Sequence, residues 1–130
     1  MSNITRTTDE KHNRTCFQVH GALTAPQAIE AIQDFLTNDP TPFELWDFTE
    51  GTLAGISRDG LRELIGRLRQ FSGVRSGGRT ALVVPKDVDY GIGRVLEVLI
   101  EMTEMPFTLR AFRNMAEATA WLECSGDIGL

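Results

Sequence analysis

Hydrophobic and polar positions change period several times along this chain, and each change marks an element. Residues 4–8 alternate, residues 9–13 are a polar break, and then Thr15, Phe17 and Val19 fall on one side of a second strand with Cys16, Gln18 and His20 on the other. That pattern predicts a β-hairpin with one buried face. Thr24, Pro26 and Gln27 have the spacing of a capping box with proline in the first turn, where its missing N–H leaves no bond unmade. Ala28, Ile29, Ile32, Phe35 and Leu36 follow at helical spacing until Asn38-Asp39-Pro40-Thr41-Pro42 stops the helix. Residues 43–48 read as a strand. Leu61, Leu64, Ile65, Leu68 and Phe71 then form the apolar stripe of a second helix, with Arg62, Glu63, Arg67 and Arg69 opposite.

Residues 72–78 are a turn-rich connector, and residues 80–84 a continuous apolar and β-branched run, the signature of a strand covered on both faces. Val88, Ile92, Val95, Leu96, Leu99 and Met102 predict a third helix, with Asp87 as its cap. Residues 107–112 are a last strand. Asn114 and Glu117 repeat the capping spacing ahead of Met115, Ala118, Trp121 and Leu122. The order is ββαβαβαβα, an α/β chain. Strands separated by helices of this length imply right-handed crossovers and a mostly parallel sheet of about five strands, with only the N-terminal edge strand antiparallel.

Composition narrows the partners. The 130 residues fit a single domain, 1–130, whose first thirteen residues form a polar strand and turn. Thirteen Lys and Arg against eighteen Asp and Glu give a net charge of −5. The basic residues are spread along the chain, so nucleic acid is excluded as a partner, since phosphate neutralisation needs clustered positive charge. No apolar run approaches the ~20 residues that span a bilayer, and the polar N-terminus lacks the apolar middle of a signal peptide. The expected location is the cytoplasm, with Cys16 and Cys124 as reduced thiols.

The residues with chemical potential gather where the second strand of the parallel set runs into the second helix. Asp47 is expected at the strand end, Thr49 in the loop, and Ser57, Arg58, Asp59 and Gly60 at the helix start. Unpaired N–H groups and the macrodipole favour negative charge at such a corner. Asp59 is expected there as helix cap or as binding determinant. Tyr90 and Arg94, at the start of the third helix, are added to the candidate binding set, with a plain surface arginine as the alternative for Arg94.

Catalytic patterns fail on spacing. Gly55-Ile56-Ser57-Arg58-Asp59-Gly60 puts the second glycine of a nucleophile elbow one place late, and His12 and His20 precede the serine. Gly91-Ile92-Gly93 lacks the third glycine of a dinucleotide fingerprint and reads as close helix packing, so no cofactor is expected. Asp87 and Asp89 have no further ligand at suitable spacing, so no metal is expected either. The third helix is apolar over a wider arc than one packing surface needs, which points to a groove or a homodimer contact.

Taken together, WDFTEGTLAGISRDGLREL, TALVVPKDVDYGIGRVLEVL and FRNMAEATAWL, with the order of elements, resemble the SpoIIAA-like proteins, small relatives of the STAS domains of anti-sigma-factor antagonists and sulfate transporter tails. The resemblance runs from about Phe17 to Leu122. It implies a right-handed βα superhelix with strands in sequential order, shared in outline with SEC14-type lipid-binding domains. In the phosphorylated antagonists a strand-end Asp leads to Asp-Ser-Ser-Gly-Leu, and the Ser beside Gly accepts phosphate. The matching run here is Ser57-Arg58-Asp59-Gly60-Leu61, after a loop about two residues longer. Asp59 occupies the acceptor position, one fixed negative charge in place of nearly two. The resemblance also implies that Arg94 faces the loop ends, placed to meet an anionic ligand, Asp47 or Glu50. The implied role is a non-enzymatic module that binds a protein partner or small ligand. The alternatives are a carrier of lipid or another apolar molecule, and an anti-sigma-antagonist-type regulator without the usual phosphoserine.

Overall fold

The computed structural model describes residues 3–124, apart from the side chains of Phe71, Ser72 and Val74. The Phe71 position of the second helix's stripe therefore lies outside the described side chains. Strands β1 (Ile4–Asp9) and β2 (Arg14–Ala22) form the expected hairpin. Then come α1 (Ala25–Thr37), β3 (Phe43–Thr52), α2 (Arg58–Phe71), a 3-10 turn (Ser72–Arg75), β4 (Arg79–Val83), α3 (Asp87–Met102), β5 (Thr108–Phe112) and α4 (Met115–Glu123). The sheet order is β1-β2-β3-β4-β5, with β1 antiparallel to β2 and every other pair parallel. Sequential order with right-handed crossovers puts α1, α2 and α3 on one face. The fourth helix packs on the other.

The two faces follow from strand alternation. Phe17, Val19, Trp46, Phe48, Leu82 and Val84 look into the layer under α1, α2 and α3, with Phe17 stacked on Trp46 at 4.3 Å. Leu45, Ala81 and Val83 look the other way and pack on Ala118 and Leu122 of α4. The continuous apolar run of β4 is thus buried on both sides, as its composition predicts. At the start of α1 the Thr24 and Gln27 side chains bond each other's backbone N–H groups, completing the predicted capping box.

The third strand is longer than predicted. Residues 43–47 pair with β4, but β3 continues to Thr52 alongside β2 alone, through an irregularity between Gln18 and His20. Asp47 is therefore the last residue paired with β4 and not the end of its strand. The tight fit of Gly51 permits the extension, since a Cβ there would lie 2.8 Å from Val19 Cγ1 and Val19 O. The polar connector after α2 also holds a core residue. Arg75 is buried against Glu44 at 3.0 Å, and its remaining N–H groups reach the Thr80 hydroxyl and the carbonyls of Thr41, Pro42 and Arg79. Glu44 in turn accepts from Trp46 Nε1 at 2.8 Å and from Thr80. Burial pushes the Arg75 guanidinium below its ordinary value, and the Glu44 charge works against that shift.

Candidate functional site

Beyond Asp47 the edge of β3 that faces β4 is free of strand pairing, and the first turn of α3 comes in beside it. Lys86 Nζ donates to the Gly51 carbonyl at 3.0 Å. Asp89 is 1% exposed, and its Oδ1 accepts from the Thr52 hydroxyl at 2.7 Å and from the Leu53 amide at 2.9 Å. The Thr52 hydroxyl also accepts from the Ala54 amide at 3.0 Å. These bonds fix the loop between β3 and α2. Among the described residues, the buried Asp89 Oδ2 has no hydrogen-bond partner.

The start of α2 differs from its prediction in one respect. Ser57 is the cap, its hydroxyl accepting from the Gly60 amide at 3.0 Å, because α2 begins at Arg58 and the residue before it occupies the capping position. Asp59 is one place inside. It lies in the first turn with a side chain 93% exposed, 3.7 Å from Arg62, a position that complements the macrodipole. Gly60 is buried, where an added Cβ would come within 3.0 Å of Ala25 Cβ on α1. Arg58 is exposed, and so is Thr49, which lies within β3 and not in the loop because the strand continues to Thr52.

The remaining candidates go elsewhere. Asp47 accepts from the Thr49 amide at 2.9 Å and lies on the α4 face of the sheet, in a depression shared with Thr5, Thr7, Cys16 and Gln18. Arg94 meets neither Asp47 nor Glu50. It donates to the Tyr90 hydroxyl at 3.3 Å and pairs with Glu97 at 3.2 Å, and both contacts push the guanidinium above its ordinary value. Glu50 pairs with His20 at 3.0 Å. Tyr90 lies under the Arg113 guanidinium, 4.4 Å from the ring centre, on the flank of α3 nearest β5. Thus Ser57, Arg58, Asp59 and Gly60 are brought together with the loop, Tyr90 and Arg94 form a separate pair, and Asp47 is on the opposite face. Helical phase explains the separation, since Tyr90 and Arg94 are four residues apart on one flank while Asp89 shares the buried stripe of Leu96 and Ile100.

The two acids at the start of α3 take roles other than those read from sequence. Asp87 is not the cap of α3, because Lys86 holds the capping position without a side-chain bond, and Asp87 pairs with Arg113 instead. Asp89 organises the loop. Its spacing of seven and eleven residues to Leu96 and Ile100 placed it on the apolar stripe, and a carboxylate in that phase was the available signal. Among the described residues, no group of three or more His, Cys, Asp or Glu is placed to hold a metal ion.

Below α2 is an apolar cavity of about 60 Å³ bounded by Trp46, Phe48, Leu64, Leu82, Leu96 and Phe107. Pockets for drug-sized ligands run to about 300–1,000 Å³. No helix of the described residues is long and apolar enough to cross a membrane.

No family model matches the chain, and no curated protein matches it. Solved structures do. An uncharacterized protein of the DUF3478 family from Shewanella loihica PV-4, with a SpoIIAA-like fold, superposes with a TM-score of 0.58 at 19% identity, over 92% of this chain and 91% of that one. The anti-sigma factor antagonist SpoIIAA in its unphosphorylated form gives 0.55 at 14% identity, over 90% and 94%. With its mixed five-stranded sheet, its four helices in the predicted order and this superposition, the chain has the SpoIIAA-like fold.

Proposed function

We propose that the protein is a non-enzymatic, STAS-like binding module that recognises a protein partner at the corner formed by the β3–α2 loop and the first turn of α2. The chain is read as one such domain, residues 1–130, working in the cytoplasm. The observation that carries this reading is the strap from Asp89 to Thr52 and Leu53. It orders the loop between β3 and α2, and beside that loop Thr49 of β3 and Ser57, Arg58 and Asp59 at the start of α2 all remain exposed. A surface held in one conformation before contact loses less entropy on binding. The anti-sigma factor antagonist is one protein of this fold, and Asp59 stands where the resemblance puts a phosphorylated serine. The regulatory variant of the reading is therefore a module fixed in one charge state at that position.

A photo-reactive amino acid at position 59, expressed in the native host, tests the reading against one at position 117 on α4. The expected result is a discrete protein adduct from position 59 only. Adducts of equal yield from both positions, or none from position 59, would count against the corner. Native mass spectrometry of the freshly purified protein addresses the carrier alternative. A mass above the 14.4 kDa chain that resolves to a copurified apolar molecule would favour it.

A further inference from the structure

We infer that the groove between α2 and α3 seats an acidic, amphipathic helical segment of a protein partner. The inference rests on the protein-binding reading above and names the chemistry of the partner.

One wall of the groove is apolar. Asp89, Gly93, Leu96 and Ile100 mark the buried stripe of α3. Glu97, whose Oε2 accepts from the Ala111 amide of β5 at 2.6 Å, marks one flank of that stripe. Right-handed crossovers in sequential strand order place α2 along the opposite flank. That flank carries Val88, Val95 and Met102, with Val98 beside them, and these four are 50–73% exposed. Ile92 and Leu99 are half-buried at their base. From Val88 to Met102 the row is about 20 Å long at the rise of an α-helix.

The other wall is basic. Gly60 abuts Ala25, which turns that side of α2 toward α1. At 3.6 residues per turn the flank toward α3 holds Arg58, Arg62 and Arg69 around the buried Ile65. The first two helices pack along each other, whereas α2 and α3 make no comparable approach. The sequence of α2 contains four arginines and two acids in a chain of net charge −5. Among the described residues Arg58 and Arg69 have no ion-pair partner, and Arg62 has only Asp59 at 3.7 Å. An open basic row parallel to an open apolar row is complementary to a helix with an apolar ridge and an acidic flank. The cavity beneath, about 60 Å³, leaves an acyl chain little room. Arg58 also belongs to the corner, so one partner can span both.

The probe is a fluorescein-labelled helical peptide of about 18 residues, about five turns, with a leucine ridge flanked by glutamates. Its control has the same ridge flanked by lysines. Anisotropy should rise with the acidic peptide and not with the control, and binding should weaken with salt. Val95→Asp and, separately, Met102→Ser should weaken it about tenfold, as loss of one anchoring side chain does. The triple variant Arg58→Glu, Arg62→Glu, Arg69→Glu should exchange the preference to the basic peptide. Both single positions are exposed, and circular dichroism checks that each variant is folded. Equal binding of the two peptides, no binding of the acidic one, or unaltered binding by all variants overturns the inference. So does binding of palmitate or of anionic phosphatidylglycerol vesicles in its place, or a concentration-dependent dimer that Val95→Asp disperses. If position 59 still captures a protein when the peptide fails, the groove falls and the corner stands.

Discussion

The carboxylate of Asp89, in the first turn of α3, holds the amide of Leu53, the first residue after β3, at 2.9 Å. Two segments 36 residues apart in sequence are thereby made one surface, and Thr52 shares the same oxygen at 2.7 Å. Among the described residues the second carboxylate oxygen has no partner, so both bonds of this side chain run through Oδ1.

Asp89→Ala should therefore cost about 1–3 kcal/mol, because it leaves a buried amide and hydroxyl without an acceptor. Asp89→Asn, which keeps one carbonyl oxygen, should cost less. Urea unfolding gives the two values. Hydrogen exchange at Leu53 and Ala54 should accelerate in the alanine variant more than exchange in β4. Equal effects of Ala and Asn would show that the oxygen has no special role.

The order of elements was legible because it depends on local signals. Thr24 with Gln27 and Asn114 with Glu117 declare helix starts from a few adjacent residues, and the run Ala81-Leu82-Val83 declares a covered strand. What was not legible depends on partners far along the chain. The Arg75 side chain sits in a run that composition reads as connector, and only its contact with Glu44, 31 positions earlier, makes it interior. The candidate corner was half legible for the same reason. Ser57 to Gly60 are neighbours in sequence and remain so in space. Tyr90 and Arg94 were assigned to the corner because the resemblance turns the start of the third helix toward the loop ends, and helical phase takes them to the β5 side.

The Glu44–Arg75 pair gives a second prediction. Both residues are buried and every described donor of the guanidinium is bonded. Arg75→Met should destabilise by about 3–5 kcal/mol, since it strands a buried carboxylate. The double variant Glu44→Gln, Arg75→Met should recover a measurable part of that loss. A double-mutant cycle from chemical denaturation decides, and strict additivity would show that the two side chains act independently.

Ser57 and Asp59 separate stability from recognition. Ser57→Ala removes the bond to the Gly60 amide and should cost about 0.5–2 kcal/mol. Asp59→Ala, at an exposed position, should stay within about 0.5 kcal/mol. A thermal melt in which Asp59→Ala was the more damaging change would show that the carboxylate, and not the serine, holds the helix start.

The two glycines of Gly91-Ile92-Gly93 should behave oppositely. A Cβ at Gly93 would lie 2.9 Å from Ala111 Cβ, where α3 crosses β5, so Gly93→Ala should overpack the contact at a cost of about 1–3 kcal/mol. A Cβ at Gly91 meets nothing within 4 Å. There Gly91→Ala should stabilise by about 0.5–1 kcal/mol through the helix preference for alanine. Opposite shifts in unfolding midpoint assign the close approach to Gly93 alone.

Thiol reactivity tests the exposed half of the α4 face. Burial pushes the Cys16 thiol above its ordinary value, with Arg14 pulling the other way, whereas Cys124 is exposed. The folded state holds the Cys16 proton more tightly than the unfolded chain does. The associated stability is thus complete below the ordinary thiol range and falls away as pH rises through the raised value. Since the thiolate is the nucleophile, iodoacetamide at neutral pH should label Cys124 well before Cys16. Raising the pH should narrow the gap while circular dichroism stays native. Peptide mapping by mass spectrometry reads the two sites separately, and equal labelling at neutral pH would mean that β2 opens at that position on the time scale of the reaction.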